Sequence, residues 1–257
     1  MRCAILRKAE LILILLLASA GPAEAQSTAG ARTIRPGDAA IDGARIRPGV
    51  WETRYVRVTA GQEQEVGIVT HELTVLRQDG EPLLRSVQTF RGARGGGVDT
   101  ATAVLSSLGP RTHRSNHGGA TLALDFEGLR VRGRAVSAAG EHKAGDRTLD
   151  APVFDSNFLE LVLGSLPLAE GLHVTIPTYV HQKPEPAWFE ARVAGQEPIA
   201  LDDVTSTAWA VHLTYEQGRG TFWIDTDSRQ MVKGVMTSPD GTEIRMLRVP
   251  RTSQLLP

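Results

Sequence analysis

The chain has 257 residues, 41 % of them hydrophobic and 22 % charged, which fits a globular protein and excludes a chain disordered throughout. Lysine plus arginine number 28 against 29 acidic residues, so no global basic field argues for a nucleic-acid partner. The single cysteine excludes an internal disulfide and a cysteine-based zinc site.

Arg2, Arg7 and Lys8 precede an apolar run from Leu11 to Ala18. Eight apolar residues are too few to span a bilayer as a helix. Ala23-Glu24-Ala25 follows as a small-x-small cleavage pattern, so residues 1–25 are expected to be a secretory signal peptide. Its removal takes three basic and two acidic residues from 28 and 29, leaving 25 and 27. Cys3 goes with it, and no later cysteine offers a site for lipid attachment. No second apolar run reaches membrane-spanning length. The expected mature product lies in the periplasm or is secreted, with no transmembrane segment.

Residues 26–48 are small and polar, punctuated by Pro36-Gly37 and Pro48-Gly49, and read as a flexible N-terminal segment. From Trp51 a strand pattern begins, with Tyr55, Val56 and Val58. Val66–Leu76 and Leu83–Phe90 alternate on either side of Asp79-Gly80, a hairpin turn. Arg91–Gly97 is basic and glycine-rich and reads as a loop; Val98–Leu108 fits a short helix or a strand. Leu122, Leu124 and Phe126, then Leu129 and Val131 beyond Glu127-Gly128, describe a hairpin. Ala138–Arg147 is polar and is expected to turn outward.

One helix is expected over Asp155–Leu166. Asp155 or Ser156 can cap it, and Phe158, Leu159, Leu161, Val162 and Leu166 form a broad apolar stripe. Gly164 weakens its end and Pro167 stops it. Strand patterns return at Leu172–Ile176, Phe189–Val193, Trp209–Tyr215, Phe222–Ile224, Met231–Val235 and Ile244–Val249, with short turns between them. Each strand is apolar on one face, and a three-turn helix must pack on something. The expected fold is therefore mainly β: a strongly curved antiparallel sheet, a half barrel or open barrel, wrapped around a short helix. Residues 49–250 form one such domain in this reading, with 251–257 as a C-terminal tail.

The stretch Pro152–Arg248 carries Asp155-Ser156, Leu166-Pro167, Ala194-Gly195-Gln196-Glu197, Thr221-Phe222-Trp223-Ile224-Asp225 and Arg229-Gln230-Met231-Val232-Lys233. These elements resemble uncharacterised exported bacterial proteins related in architecture to the envelope lipoprotein chaperones. The resemblance implies a curved sheet half-wrapping a helix and an apolar groove suited to acyl chains or another greasy partner. It carries no catalytic residues.

His113 and His117 sit four apart among Ser115, Asn116, Gly118 and Gly119, which read as a loop; no zinc-protease pattern accompanies them. With Asp125 they supply the alternative reading, an exported metal-dependent hydrolase. His173 and His212 lie on polar strand faces, where they could meet across the sheet. Asp202-Asp203 and Asp225/Asp227 lie at turns and read as turn-capping carboxylates. No Gly-x-Ser-x-Gly or phosphate-loop pattern is present, and no cofactor is expected. Trp209 is expected in the core, whereas Trp223, opposite to Phe222 and Ile224, suits an outer face or groove wall. The candidate ligand-binding residues are Trp223, Trp188, Phe158, Arg91 and Arg94. The first reading is a non-enzymatic protein binding a lipid or other apolar ligand, or an envelope protein; a structural or assembly role in the envelope is the third.

Overall fold

The computed structural model describes residues 30–93, 95–180, 185–201 and 204–249. The proposed signal peptide and the tail 251–257 lie outside the described residues, as do Arg94 and Asp202-Asp203. Among the described residues no helix is long and apolar enough to cross a membrane.

After a short strand β1 (Arg32–Thr33), the alternating pattern folds into β2 (Gly49–Thr59), β3 (Gln62–Gln78), β4 (Glu81–Gly92) and β5 (Gly95–Val104). It continues through β6 (Pro110–His117), β7 (Ala120–Glu127), β8 (Arg130–Val136) and β9 (His142–Thr148). Each pairs antiparallel with the next from β2 to β9. Asp79 and Gly80 both take positive φ, the backbone that a two-residue hairpin turn demands.

A two-residue strand β10 (Phe154–Asp155) leads into a 3-10 turn, Ser156–Phe158, and the helix α1 (Leu159–Ser165). A second meander follows: β11 (His173–Tyr179), β12 (Ala187–Leu201), β13 (Val204–Tyr215), β14 (Gly218–Asp225), β15 (Met231–Thr237) and β16 (Glu243–Val249). Antiparallel pairing of β16 with β2, with Arg248 opposite Thr53, fuses the two meanders into one 16-stranded sheet. The sheet curves around α1 and is not closed into a barrel.

The curvature is visible in the core. Leu73, Leu84 and Ala101 of the first meander share a single cluster with Ile176, Val211, Leu213 and Ile224 of the second. Phe158, Leu161, Leu163 and Leu166 fill the space between them. Burying each such side chain stabilises the fold by roughly 1.5–3 kcal/mol, which lets a seven-residue helix persist that would be unstable alone.

Several local expectations are corrected. The segment 26–48 is not a loose lead-in from Arg32 onward. β1 pairs parallel with β11, and Ile34, Ile41 and Ile46 are buried in the main core. Backbone bonds from Gly37 to Ser107, from Asp42 to Ser165 and from Arg47 to Ser228 tie it across the open end of the curved sheet. Its large apolar residues are sparse, but the three isoleucines all reach inward. Arg91–Gly92 and Gly95–Gly97 of the glycine-rich run, and the stretch 113–117, are strand, because cross-strand pairing overrides weak local propensity. Polar residues 142–148 form the edge strand β9, where solvent on both faces removes any alternation. The helix is shorter than Asp155–Leu166, beginning as a 3-10 turn capped by Asp155, whose Oδ1 accepts from Asn157 N at 2.9 Å.

Gly164 has a packing reason. The turn between β14 and β15 approaches α1 so closely that a methyl group at this position would collide with the Arg229 carbonyl. Gly164→Ala is therefore expected to destabilise by about 1–3 kcal/mol through overpacking, not to gain the ~1 kcal/mol of helix propensity. Urea unfolding of the two proteins checks the sign.

Candidate functional site

The open sheet's two arms converge at a seam made by side chains. β10 hydrogen-bonds in parallel to β11, and β6 approaches from the far arm. There His113 Nδ1 donates to Asp155 Oδ2 at 2.9 Å, both side chains no more than 3 % exposed. Beside them Phe126 of β7 meets Tyr179 of β11 edge-on at 5.5 Å. Burial works against charge on His113, yet the Asp155 charge and hydrogen bond outweigh it and raise its pKa.

Next to this pair the inner face carries a polar row. Trp51, His71, Gln88, Asp99 and Ser115 stand directly opposite one another across β2 to β6. Asp99 is buried, which would raise its pKa, but hydrogen bonds from His117 and Ser115 lower it overall. His117 Nε2 lies 2.9 Å from Asp99, and its ring covers Gly97 and packs on Phe90. Arg248 sits 5.0 Å above Trp51, which stacks on His71 at 5.1 Å with the rings nearly parallel. Glu160 of α1 approaches His71 Nδ1 at 3.8 Å, too far for a hydrogen bond. Burial, with help from Arg248, holds His71 neutral down to about 4. Burial also pushes Glu160 up to about 7, though Arg248 opposes this. Around pH 6 the contact is thus between two neutral groups and is not an ion pair.

The outer end of the seam opens into a cleft of about 290 Å³. Pro36, Val104, Phe126, Leu129, Leu149 and Val153 give it apolar walls, and Arg111 stands at its side. Phe126, Leu149 and Val153 belong to a small second core cluster, separate from the main one, so the cleft's floor is firm. Arg111 is held by Glu81 at 2.7 Å. Arg35, the neighbour of Pro36, donates to the carbonyl of the wall residue Pro152 at 2.9 Å and lies 5.6 Å from the ring of Trp188.

The sequence candidates fall in different places. Trp188 is 46 % exposed, contacts Arg35 and does not line the cleft. Phe158 is fully buried in the main core, so it packs the helix and is not available to a ligand. Trp223 lies on the outer face, in a small cluster with Ile199, Ala208 and Val232, under Lys233 and bonded to Glu197. Arg91 pairs with Glu52 on the outer surface. Trp209 packs against the main core, half-buried. Arg94 lies outside the described residues.

His113, His117 and Asp125 do not form a shared metal site. Four residues along a strand separate the two histidines by about 13 Å, and each has its own aspartate. Asp125 is on the opposite face, paired with Arg114. Among the described residues no cluster of three ligands is present. His173 and His212 are separated by Arg192 on the strand between them. Asp225 Oδ1 accepts from the backbone of Asp227 and Ser228 and from the Ser228 hydroxyl, as a turn cap does.

Arg35, Leu149 and Val153 were missed because they lie in turns and connections, where no periodicity marks a side chain as inward, and Leu129 was read only as part of a hairpin. The available signal was compositional: apolar residues beside Pro36, Gly128 and Pro152 in otherwise polar stretches.

The fold and seam define an open, curved antiparallel sheet around a short helix, with a side-chain-closed junction and an apolar cleft. The chain belongs to the family described as "Protein of unknown function (DUF3108)", whose model matches residues 54–248. Among solved structures it is similar to the hypothetical lipoprotein YmcC from Escherichia coli K12, with 12 % identity and a TM-score of 0.34, over 77 % of this chain and 86 % of that one. It is also similar to a DUF1329 family protein from Desulfovibrio piger, with 9 % identity and a TM-score of 0.29, over 81 % and 86 %. No curated protein matches the chain.

Two substitutions test the electrostatics. Asp155→Asn removes the counter-charge of a buried histidine and is expected to cost about 3–5 kcal/mol. Because the folded pKa of His113 is raised, its contribution is complete below the ordinary 6.5 and is lost as pH rises through the folded value. Denaturant titrations of Asp155→Asn should lack that alkaline decline. Glu160 binds its proton near pH 7 when folded and near 4.5 when unfolded, so stability falls as pH rises across that interval. The total is about 3 kcal/mol. His71 acts in the opposite direction, costing stability as pH falls from 6.5 towards 4. Glu160→Gln should leave a stability that climbs with pH between 5 and 6.5, where the native protein's two contributions offset each other.

Proposed function

We infer that this is an exported, non-catalytic binding protein that holds an apolar or amphipathic small molecule in the seam cleft. The supporting observation is the cleft itself: a concave space with apolar walls beside a few polar groups, just below the ~300–1,000 Å³ range of ligand sites. The concave face of the sheet cannot serve as the groove at α1, because the helix and main cluster fill it. Export rests on the signal-peptide pattern of residues 1–25, with a periplasmic destination.

Native mass spectrometry of the full chain, released gently from the producing cell, is expected to show a bound small molecule. Leu129→Asp places a carboxylate in the cleft at an already exposed turn position, so the fold should survive and the added mass should disappear. A native protein that carries no adduct and binds no anilinonaphthalene sulfonate would remove the basis of this reading.

A further inference from the structure

Arg111 lines the cleft and is neutralised, as are arginines on other strands, whereas Arg35 is not. Arg32 pairs with Asp38, Arg111 with Glu81, Arg114 with Asp125 and Arg130 with Asp146. Arg35, among the described residues, has no carboxylate within ion-pair reach. Its contacts are the Pro152 carbonyl, which takes NH1, and the Trp188 ring. A guanidinium has five N–H donors in a planar fork, and this one spends a single hydrogen bond on the main chain. Arg35 is half-buried and does not itself line the cleft, but it adjoins Pro36 and hydrogen-bonds Pro152, which do, so its positive charge stands beside the cavity.

The two large exposed apolar side chains near this place reinforce it. Leu129 lines the cleft at 38 % exposure, and Trp188, at 46 %, stacks with Arg35. Single exposed apolar residues need no explanation. Here one lies in the wall of the cavity and the other contacts the cation beside it.

We propose that the cleft takes a single-chain amphiphile with an anionic head group, the chain lying against Leu129, Leu149 and Val153 and the head group bound by Arg35 beside Trp188. This rests on the cleft's being a binding site and adds the class of ligand. The volume suits one medium-length chain and not a two-chain lipid. The free fork suits a carboxylate or a phosphate, which accept two parallel N–H bonds. A cationic head would face an uncompensated guanidinium, while the nearby Glu81 is already engaged by Arg111.

The test compares two probes of equal chain length, decanoate and decanol, by isothermal titration into the full chain. Decanoate is expected to bind about tenfold or more tightly than decanol, as a charge-assisted hydrogen bond implies. Arg35→Gln should bring the two affinities together while leaving that of decanol unchanged. Inorganic phosphate alone should not compete with decanoate at equal concentration, since the chain supplies most of the apolar contact. Equal binding of the two probes, or an unchanged preference in Arg35→Gln, overturns the anionic-head assignment while the cleft remains a binding site. If neither probe binds, the cleft reading fails first and this inference with it.

Discussion

The buried hydrogen bond between His113 and Asp155 is the point on which the architecture turns. Sixteen strands could close into a barrel by backbone pairing, which would leave no edge and no opening. Here the two arms meet instead through the His113–Asp155 hydrogen bond, an edge-on aromatic contact between Phe126 and Tyr179, and the N-terminal segment, whose backbone bonds to both. Asp155 serves two structures at once: one oxygen receives His113 from the far arm, and the other caps the turn that starts the helix. The placement of α1 inside the curve and the approach of the two arms are thereby set by the same carboxylate. Removing one member of such a pair leaves a buried charge uncompensated, so its contribution is cooperative with the fold around it.

The helix pays for its position in polar terms. On its apolar side Phe158, Leu161 and Leu163 are enclosed by both meanders. Its Glu160 points to the polar row of β2 to β6, where Trp51, His71 and Arg248 are layered. An ionised glutamate there is disfavoured by burial, and a protonated histidine is disfavoured too. Their pH dependences run in opposite directions over the mildly acidic range, so stability there varies little with pH, although the burial of each group still costs stability. Asp99 is the contrasting case: two hydrogen bonds reverse the effect of its burial, and it stays ionised.

Strand alternation and turn chemistry made the sheet legible. Leu122, Leu124 and Phe126 alternate because one face of β7 is buried, and Asp79-Gly80 reads as a hairpin because its backbone requires it. The antiparallel meander and a single enclosed helix followed from those signals. Strand identity failed where it depends on neighbours: Gly95–Gly97 and His113–His117 extend only because facing strands pair with them. The packing of the N-terminal segment was hidden for a similar reason, since Ile34, Ile41 and Ile46 are too widely spaced to show a period. Among the ligand candidates, Trp188 contacts Arg35 beside the cleft without lining it. An aromatic residue can be singled out by type, but the partner Arg35 lies 153 positions away and is joined to it only by the parallel pairing of β1 with β11.

A seam held by side chains also explains why a cleft lies where it does. Backbone pairing brings strands to a fixed spacing of about 4.8 Å and leaves no room between them. Side-chain contact sets no such spacing, so the arms of this sheet can stand apart at one end while remaining joined at His113 and Asp155. The gap is bordered by turns and connections: Pro36 from the N-terminal strap, Gly128 and Leu129 from the β7–β8 turn, and Pro152 and Val153 before β10. These are segments whose lengths and side chains can change without disturbing the ladder of either meander. The curved sheet and its enclosed helix thus form the regular part, and the cleft lies at a junction bordered by turns and connections.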